Sequence, residues 1–125
     1  MLTTADVAHH LALTSTTVRR KIRDGEILAT RVRRDYRVTW ENVWACEHGP
    51  MPKRGIQERY KAPLLTKKHL ASATAYNLRT IERWIEEGLP TRNVFGSVRI
   101  NPFDAQDWLR NMKGFVIETL DRGEA

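Results

Sequence analysis

A single cysteine, Cys46, stands among 125 residues. One thiol excludes an intrachain disulfide and suits a reducing compartment. It also falls short of a zinc set. Cys46-Glu47-His48 offers one thiol and one imidazole, where structural zinc takes four ligands at defined spacings. His9 and His10 stand without a nearby cysteine or an HExxH pattern and read as surface or packing residues. No apolar run approaches the roughly 18 residues that a membrane span requires. Neither GxxxxGK nor GxGxxG occurs, so no phosphate-cradling glycine loop is recognisable. No convincing nucleophile–base set presents itself. The expectation is a protein that is not an enzyme and needs no cofactor or metal. Met1 leads straight into a helix-like pattern with no signal-peptide core, which points to the cytoplasm.

What is present is a pattern written twice, 63 residues apart. The first copy reads Leu2-Thr3, Val7-Ala8, then Thr17-Val18, Arg20, Ile22 and Gly25. The second reads Leu65-Thr66, Leu70-Ala71, then Thr80-Ile81, Arg83, Ile85 and Gly88. A repeat of this kind governs the whole reading. Each copy is near the lower size limit for an independent core, so the two are expected to lean on each other or on a partner chain. Two similar units suit an extended, repetitive ligand, and duplex DNA is the obvious candidate.

Charge points the same way. The net charge is +6. Residues 1–62 hold 12 basic and 7 acidic side chains, net +5, whereas residues 63–125 hold 9 and 8, net +1. Within residues 19–37 lie Arg19, Arg20, Lys21, Arg23, Arg31, Arg33, Arg34 and Arg37 against Asp24, Glu26 and Asp35. Seven of those eight cations are arginine, whose planar fork pairs bidentately with phosphate and with guanine edges. The cluster has the character of a polyanion-binding face.

Periodicity and capping residues predict a helix over 3–12, capped by Thr3 or Thr4, with Val7, Ala8 and Leu11 inward. A second helix, capped by Thr14 or Ser15, runs to about Asp24 with Val18 and Ile22 inward, and Gly25 ends it. Leu28–Val32 and Tyr36–Val38 form a hairpin turning at Arg33-Arg34-Asp35. Thr39 caps a third helix whose Trp40, Val43 and Trp44 pack back on the first two. Prolines and glycines mark residues 48–63 as a linker, made basic by Lys53, Arg54, Arg59 and Lys61. The second copy repeats the plan. Thr66 caps Lys67–Ala75, Asn77 caps Leu78–Glu87, and a hairpin from Arg92 to Ile100 turns at Gly96-Ser97. Asn101-Pro102 opens a helix over 102–113. Phe115–Leu120 reads as a final apolar segment, a short helix that covers the core or meets a partner.

The run Thr17-Val18-Arg19-Arg20-Lys21-Ile22-Arg23-Asp24-Gly25-Glu26-Ile27-Leu28, with Arg31-Val32 and Tyr36-Arg37-Val38, resembles the excisionase-like and MerR-like winged helix-turn-helix family. Thr80-Ile81-Glu82-Arg83-Trp84-Ile85-Glu86-Glu87-Gly88-Leu89-Pro90, with Val98-Arg99-Ile100-Asn101-Pro102, is similar to another member of that group. In style it is nearest the small DNA-binding regulators and terminase small-subunit heads of phages. The two matches cover about three quarters of the chain.

The resemblance implies a mainly α fold with small β-hairpin wings: two winged helix-turn-helix units in tandem. They occupy 1–47 and 64–114, joined by a linker over 48–63 and followed by a tail over 115–125. It implies that the second helix of each unit enters the major groove and that the wing reaches the minor groove or the backbone. In unit 1 this assigns Ser15, Thr16, Thr17, Arg19, Arg20 and Arg23 to reading. Arg31, Arg33, Arg34, Tyr36 and Arg37 go to the wing contact. In unit 2 it assigns Asn77, Arg79, Thr80 and Arg83 to reading, and Arg92 and Arg99 to the wing. Lys53 and Arg54 of the linker are candidate phosphate contacts. Glu82 and Glu86 stand where unit 1 has Arg19 and Arg23, so the second unit is a weaker reader, a reader of cytosines, or a partner-binding copy. The MerR coiled coil and effector domain are missing, which speaks against small-molecule or metal sensing.

The functional expectation is therefore a sequence-specific double-stranded DNA-binding protein of mobile-element type, bacterial or phage-encoded and nucleoid-associated. It would act as an excisionase (recombination directionality factor) or a small transcription regulator, as a dimer or self-associated along DNA. The alternative is an adaptor whose second unit docks a recombinase, a terminase or an RNA polymerase subunit.

Overall fold

A computed structural model of the chain describes residues 1–118 and 120–122. It is mainly helical with two small antiparallel hairpins. The order is α1 (Thr4–Leu11), α2 (Ser15–Arg23), β1 (Thr30–Val32), β2 (Asp35–Arg37), α3 (Trp40–Ala45), then a 3-10 helix (Arg54–Lys61). There follow α4 (Lys67–Thr74), α5 (Leu78–Glu87), β3 (Arg92–Val94), β4 (Ser97–Arg99) and α6 (Pro102–Lys113). Helix, helix, hairpin, helix thus occurs twice.

Local chemistry sets the helix starts. Thr3 and Asp6 form a reciprocal capping box on α1, and Thr66 and His69 form one on α4. Thr14, Thr39, Asn77 and Asn101 each accept a backbone N–H in the first turn of α2, α3, α5 and α6. Both α1 and α4 end on an alanine in the left-handed region, Ala12 (φ 57°) and Ala75 (φ 61°). Each then turns at once into the next helix. A side chain there is strained by about 1–2 kcal/mol, so the surrounding contacts must hold it.

Both hairpins turn in two residues; the first lies within the expected Arg33-Arg34-Asp35, with Asp35 joining the strand, and the second lies one residue before the expected Gly96-Ser97. Val32 pairs with Asp35 and Val94 with Ser97, leaving Arg33-Arg34 and Phe95-Gly96 as the turns. Phe95 (φ 51°) and Gly96 (φ 87°) both take positive φ, the backbone that a two-residue turn needs to match strand twist. Arg33, in the place equivalent to Phe95, also has positive φ. Each hairpin is pinned to the start of its unit by two backbone bonds, Leu2 with Val38 and Leu65 with Ile100.

Two apolar clusters form the core. Val7, Ala8, Leu11, Val18, Ile27, Val38, Val43 and Cys46 make the first, and Leu64 and Val94 from beyond the linker complete it. The second is built on Leu65, Leu70, Ile81, Trp84, Leu89, Ile100, Ala105 and Leu109, with Leu120 over it. The units therefore lean on each other through a shared seam.

Residues 48–63, expected as a linker, are partly a packed strap. Trp44 Nε1 donates to the Tyr60 carbonyl (3.1 Å), Tyr60 Oη donates to Asp104 (3.0 Å), and Arg59 pairs with Asp107. Asn101 Nδ2 donates to the Arg59 carbonyl. The short helix expected within Phe115–Leu120 is not found over residues 115–118. Gly114 (φ 70°) ends α6. The β-branched Val116 and Ile117 favour extended backbone, and Gln106 Nε2 ties down the Ile117 carbonyl. Thr119 and residues 123–125, part of the expected tail, lie outside the described residues.

Candidate nucleic-acid interface

On α2 the apolar positions fall four apart. Val18 is fully buried and Ile22 half-buried, so Arg19, Arg20 and Arg23 are turned outward and exposed. Beside them stands the first hairpin, whose β1 is exposed along its length. Thr16, Arg19 and Arg23 of α2 and Arg34 and Tyr36 of the hairpin line an open groove of about 400 Å³. A second, shallower depression of about 190 Å³ shares Arg19 and Tyr36 and adds Thr3, Thr4, Ala5, Asp35 and Arg37. The two make one concave strip from the start of α1 to the end of α2.

The strip is predominantly positive, with Asp35 the acidic side chain in its lining. Among the described residues the guanidiniums of Arg19, Arg20, Arg23, Arg33 and Arg34 make no intramolecular hydrogen bond or ion pair. Helix-dipole complementarity accounts for cations in the last turn of α2, where Arg20, Lys21 and Arg23 lie. It does not account for Arg19 or for the hairpin tip. Arg19 and Arg23 are four residues apart on one helix face, a placement that costs a few tenths of a kcal/mol in like-charge repulsion. Three cations are partly engaged. Lys21 pairs with Glu26 (3.0 Å). Arg31 Nε donates to the Arg33 carbonyl (3.1 Å), with its guanidinium 5.9 Å from the Tyr36 ring centre. Arg37 Nη1 donates to the Tyr36 carbonyl (2.9 Å). The Arg31 and Arg37 contacts stiffen the hairpin without neutralising it, because their acceptors are uncharged carbonyls.

The remaining unit 1 candidates serve α2 itself. Ser15 is half-buried at its first position, and Thr17 accepts from Thr14 Oγ1 (3.0 Å) next to the cap. Lys53 and Arg54 are exposed at the start of the 3-10 helix.

In the second unit the candidate residues do not come together. Arg79 and Arg83 are exposed on α5, interleaved with exposed Glu82 and Glu86. Asn77 Oδ1 accepts from both the Thr80 N–H and the Thr80 hydroxyl (2.9 Å each), so both side chains serve the cap. The two wing candidates point into the protein. Arg92 is 4 % exposed, and its guanidinium pairs with buried Glu47 and donates to the Pro50 carbonyl. Arg99 donates from Nε to the Leu11 carbonyl (2.9 Å) and from Nη2 to the Ala12 carbonyl (3.1 Å). Burial draws its pKa below the usual arginine value. Neither guanidinium is presented to a ligand. The Phe95 tip packs against the first core cluster with Lys21 4.7 Å above its ring.

Sequence reasoning missed the group at the seam. Glu47 is completely buried between His10 Nε2 (2.9 Å from Oε2) and Arg92. No local pattern announces it, because its partners lie 37 and 45 residues away. Cys46 is buried, and desolvation together with the Glu47 charge pushes its pKa up to about 12. It is an inert thiol, donating to the Val43 carbonyl. Among the described residues no three His, Cys, Asp or Glu side chains are placed to hold a metal ion, and no helix is long and apolar enough to cross a membrane.

Comparison with known protein families, with curated proteins and with solved structures returns no match.

Proposed function

We propose that this protein binds double-stranded DNA through α2 and the first hairpin. One observation carries the reading. Three guanidiniums, Arg19, Arg23 and Arg34, line one open groove, Arg20 and Arg33 stand exposed next to them in the chain, and none of the five has a hydrogen-bond or ion-pair partner among the described residues. In the second unit Arg92, Arg99 and Arg110 donate to protein acceptors, and the exposed Arg79 and Arg83 are interleaved with Glu82 and Glu86 on α5. Unpaired cations on one face repel one another, and a polyanion is the ligand that removes the repulsion while releasing condensed counterions. α2 presents Thr16, Arg19 and Arg23 to base edges, and the hairpin presents Arg33 and Arg34 to phosphates. Arg31, Tyr36 and Arg37 hold the hairpin in shape. Lys53 and Arg54 extend the positive field. The resemblance to excisionase-like and MerR-like winged helix-turn-helix proteins supports the same assignment and adds the biological setting. That setting is a mobile-element or regulatory DNA-binding factor acting without chemistry of its own.

The test is equilibrium binding of a duplex pool by the intact chain and by an R19A/R23A/R34A variant. The reading predicts salt-dependent binding that the variant loses while keeping its thermal stability. Equal binding by both would place the interface elsewhere.

A second reading concerns unit 2 alone. With its hairpin committed to the seam and Glu82 and Glu86 on α5, it is better suited to holding unit 1 or docking a protein partner than to reading bases.

A further inference from the structure

The carbonyls that end α1 are held from the far end of the chain. His10 O accepts from the Leu64 N–H (2.9 Å) and from Arg122 Nη2 (3.1 Å). Leu11 O and Ala12 O accept from the two arms of Arg99. Ala12 is the strained left-handed residue that redirects the chain, and two positions later Thr14 caps α2. The direction in which α2 leaves α1 is therefore fixed at the atoms that Arg99 grips. A charge-assisted donor on C-terminal helix carbonyls also matches the helix dipole. The same hairpin touches α2 again further along, where Phe95 lies under Lys21.

The repeat shows that this grip is not a generic feature of the hairpin. Arg37 is the equivalent of Arg99. Both donate from Nη1 to the preceding carbonyl, at 2.9 and 3.0 Å. Only Arg99 spans 87 and 88 residues to seize another unit's turn. The matching turn in unit 2, at Ala75, relies on its own backbone and on Thr74 Oγ1 donating to the Leu70 carbonyl (2.7 Å).

We infer that the second hairpin is a positioning clamp for the DNA-reading helix. Arg99 and Phe95 set the orientation of α2, so the second unit contributes to sequence recognition without touching nucleic acid. This rests on the reading of α2 as the interface. Arg99 is a positioning residue, acting through the α1–α2 turn.

The experiment uses the intact chain with Arg99→Met, Arg99→Lys and Phe95→Leu, and has two arms. The first, without DNA, follows amide hydrogen exchange over residues 12–18. The clamp predicts that R99M speeds exchange there by about tenfold, with α4 and α5 unchanged and R99K intermediate. Unaltered protection, or uniform loss in both units, overturns the proposal. The second arm compares affinity for the duplex best selected by the wild type with affinity for random duplex. The ratio should fall by about tenfold in R99M and F95L, while random-duplex affinity and its salt slope stay put. A reduced salt slope in R99M would make Arg99 a phosphate contact and overturn the clamp. A wild type that binds no duplex would defeat the DNA reading alone, since the exchange arm still decides whether Arg99 holds the turn. Should R99M fail to fold, F95L carries both arms, and exchange and selectivity unchanged in it would overturn the proposal.

Discussion

Arg92 and Glu47 form a buried ion pair across the seam between the two units, 45 residues apart in the chain. Arg92 Nε donates to Glu47 Oε1, Arg92 Nη2 donates to the Pro50 carbonyl (3.1 Å), and the guanidinium lies 5.2 Å from the Tyr60 ring centre. The second carboxylate oxygen faces His10 of α1. The backbone takes part as well, with the Asn93 N–H donating to the Glu47 carbonyl (2.8 Å). One side chain thus ties α1, the end of α3 and β3 together.

Removing one partner leaves a desolvated charge. Arg92→Met should destabilise the protein by about 3–5 kcal/mol. The double variant Glu47→Gln with Arg92→Met should lose clearly less than the sum of the single changes. Denaturant titration of the four proteins measures this. Additive losses would mean that the pair contributes no coupling.

Because Leu64, Val94, Arg92 and Arg99 all complete the first unit, residues 1–50 alone should not fold. Circular dichroism of that fragment should show little helix, with recovery when residues 51–125 are supplied in trans. A cooperatively folded fragment would show that the seam is dispensable.

The groove arginines behave differently. Arg19→Ala and Arg23→Ala should each leave stability within about 0.5 kcal/mol, since neither guanidinium makes a hydrogen bond or ion pair among the described residues. Each should weaken binding to a selected duplex by about 1–3 kcal/mol. Arg33→Ala with Arg34→Ala should flatten the salt dependence by about two phosphate contacts. An unchanged salt slope would remove the hairpin tip from the interface.

Hydrogen bonds from the Thr3 backbone and hydroxyl lower the pKa of Asp6 below its ordinary 3.8. A carboxyl with a depressed folded pKa binds protons more readily in the unfolded chain. Its contribution is complete above about pH 4 and fades as pH falls through the lower folded value. Asp6→Asn should therefore reduce stability at pH 7 and converge with the parent at low pH. A constant gap at all pH values would contradict the capping box.

The elements were legible where the controlling bond is local. Thr66, Asn77 and Asn101 each cap a helix by reaching two or three residues ahead, so the caps are readable from neighbouring residues, and at α1 the structure selects Thr3 from the pair Thr3 or Thr4. The basic strip was legible for the same reason, because α2 and the hairpin are neighbours in sequence. The roles of Arg92 and Arg99 were not. Arg99 occupies the place of Arg37, and nothing local distinguishes an arginine that bonds only its neighbouring carbonyl from one that also crosses to a carbonyl 88 residues away. The turn at Phe95-Gly96 was displaced by one residue because Phe95 accepts a positive φ in exchange for burial at the seam. Residues 115–118 depart from the expected helix because apolar content alone does not separate a helix from an extended cover.

The measurement that bears most directly on the central claim is selection of bound sequences from a random duplex pool by the intact chain at about physiological salt, repeated with R19A/R23A. With α2 as the reader and the second hairpin locked in the seam, the protein should enrich one contiguous block of base pairs, and the variant should lose that block. No enrichment by the intact chain, or a block that survives both substitutions, would contradict the assignment of α2 as the reading helix.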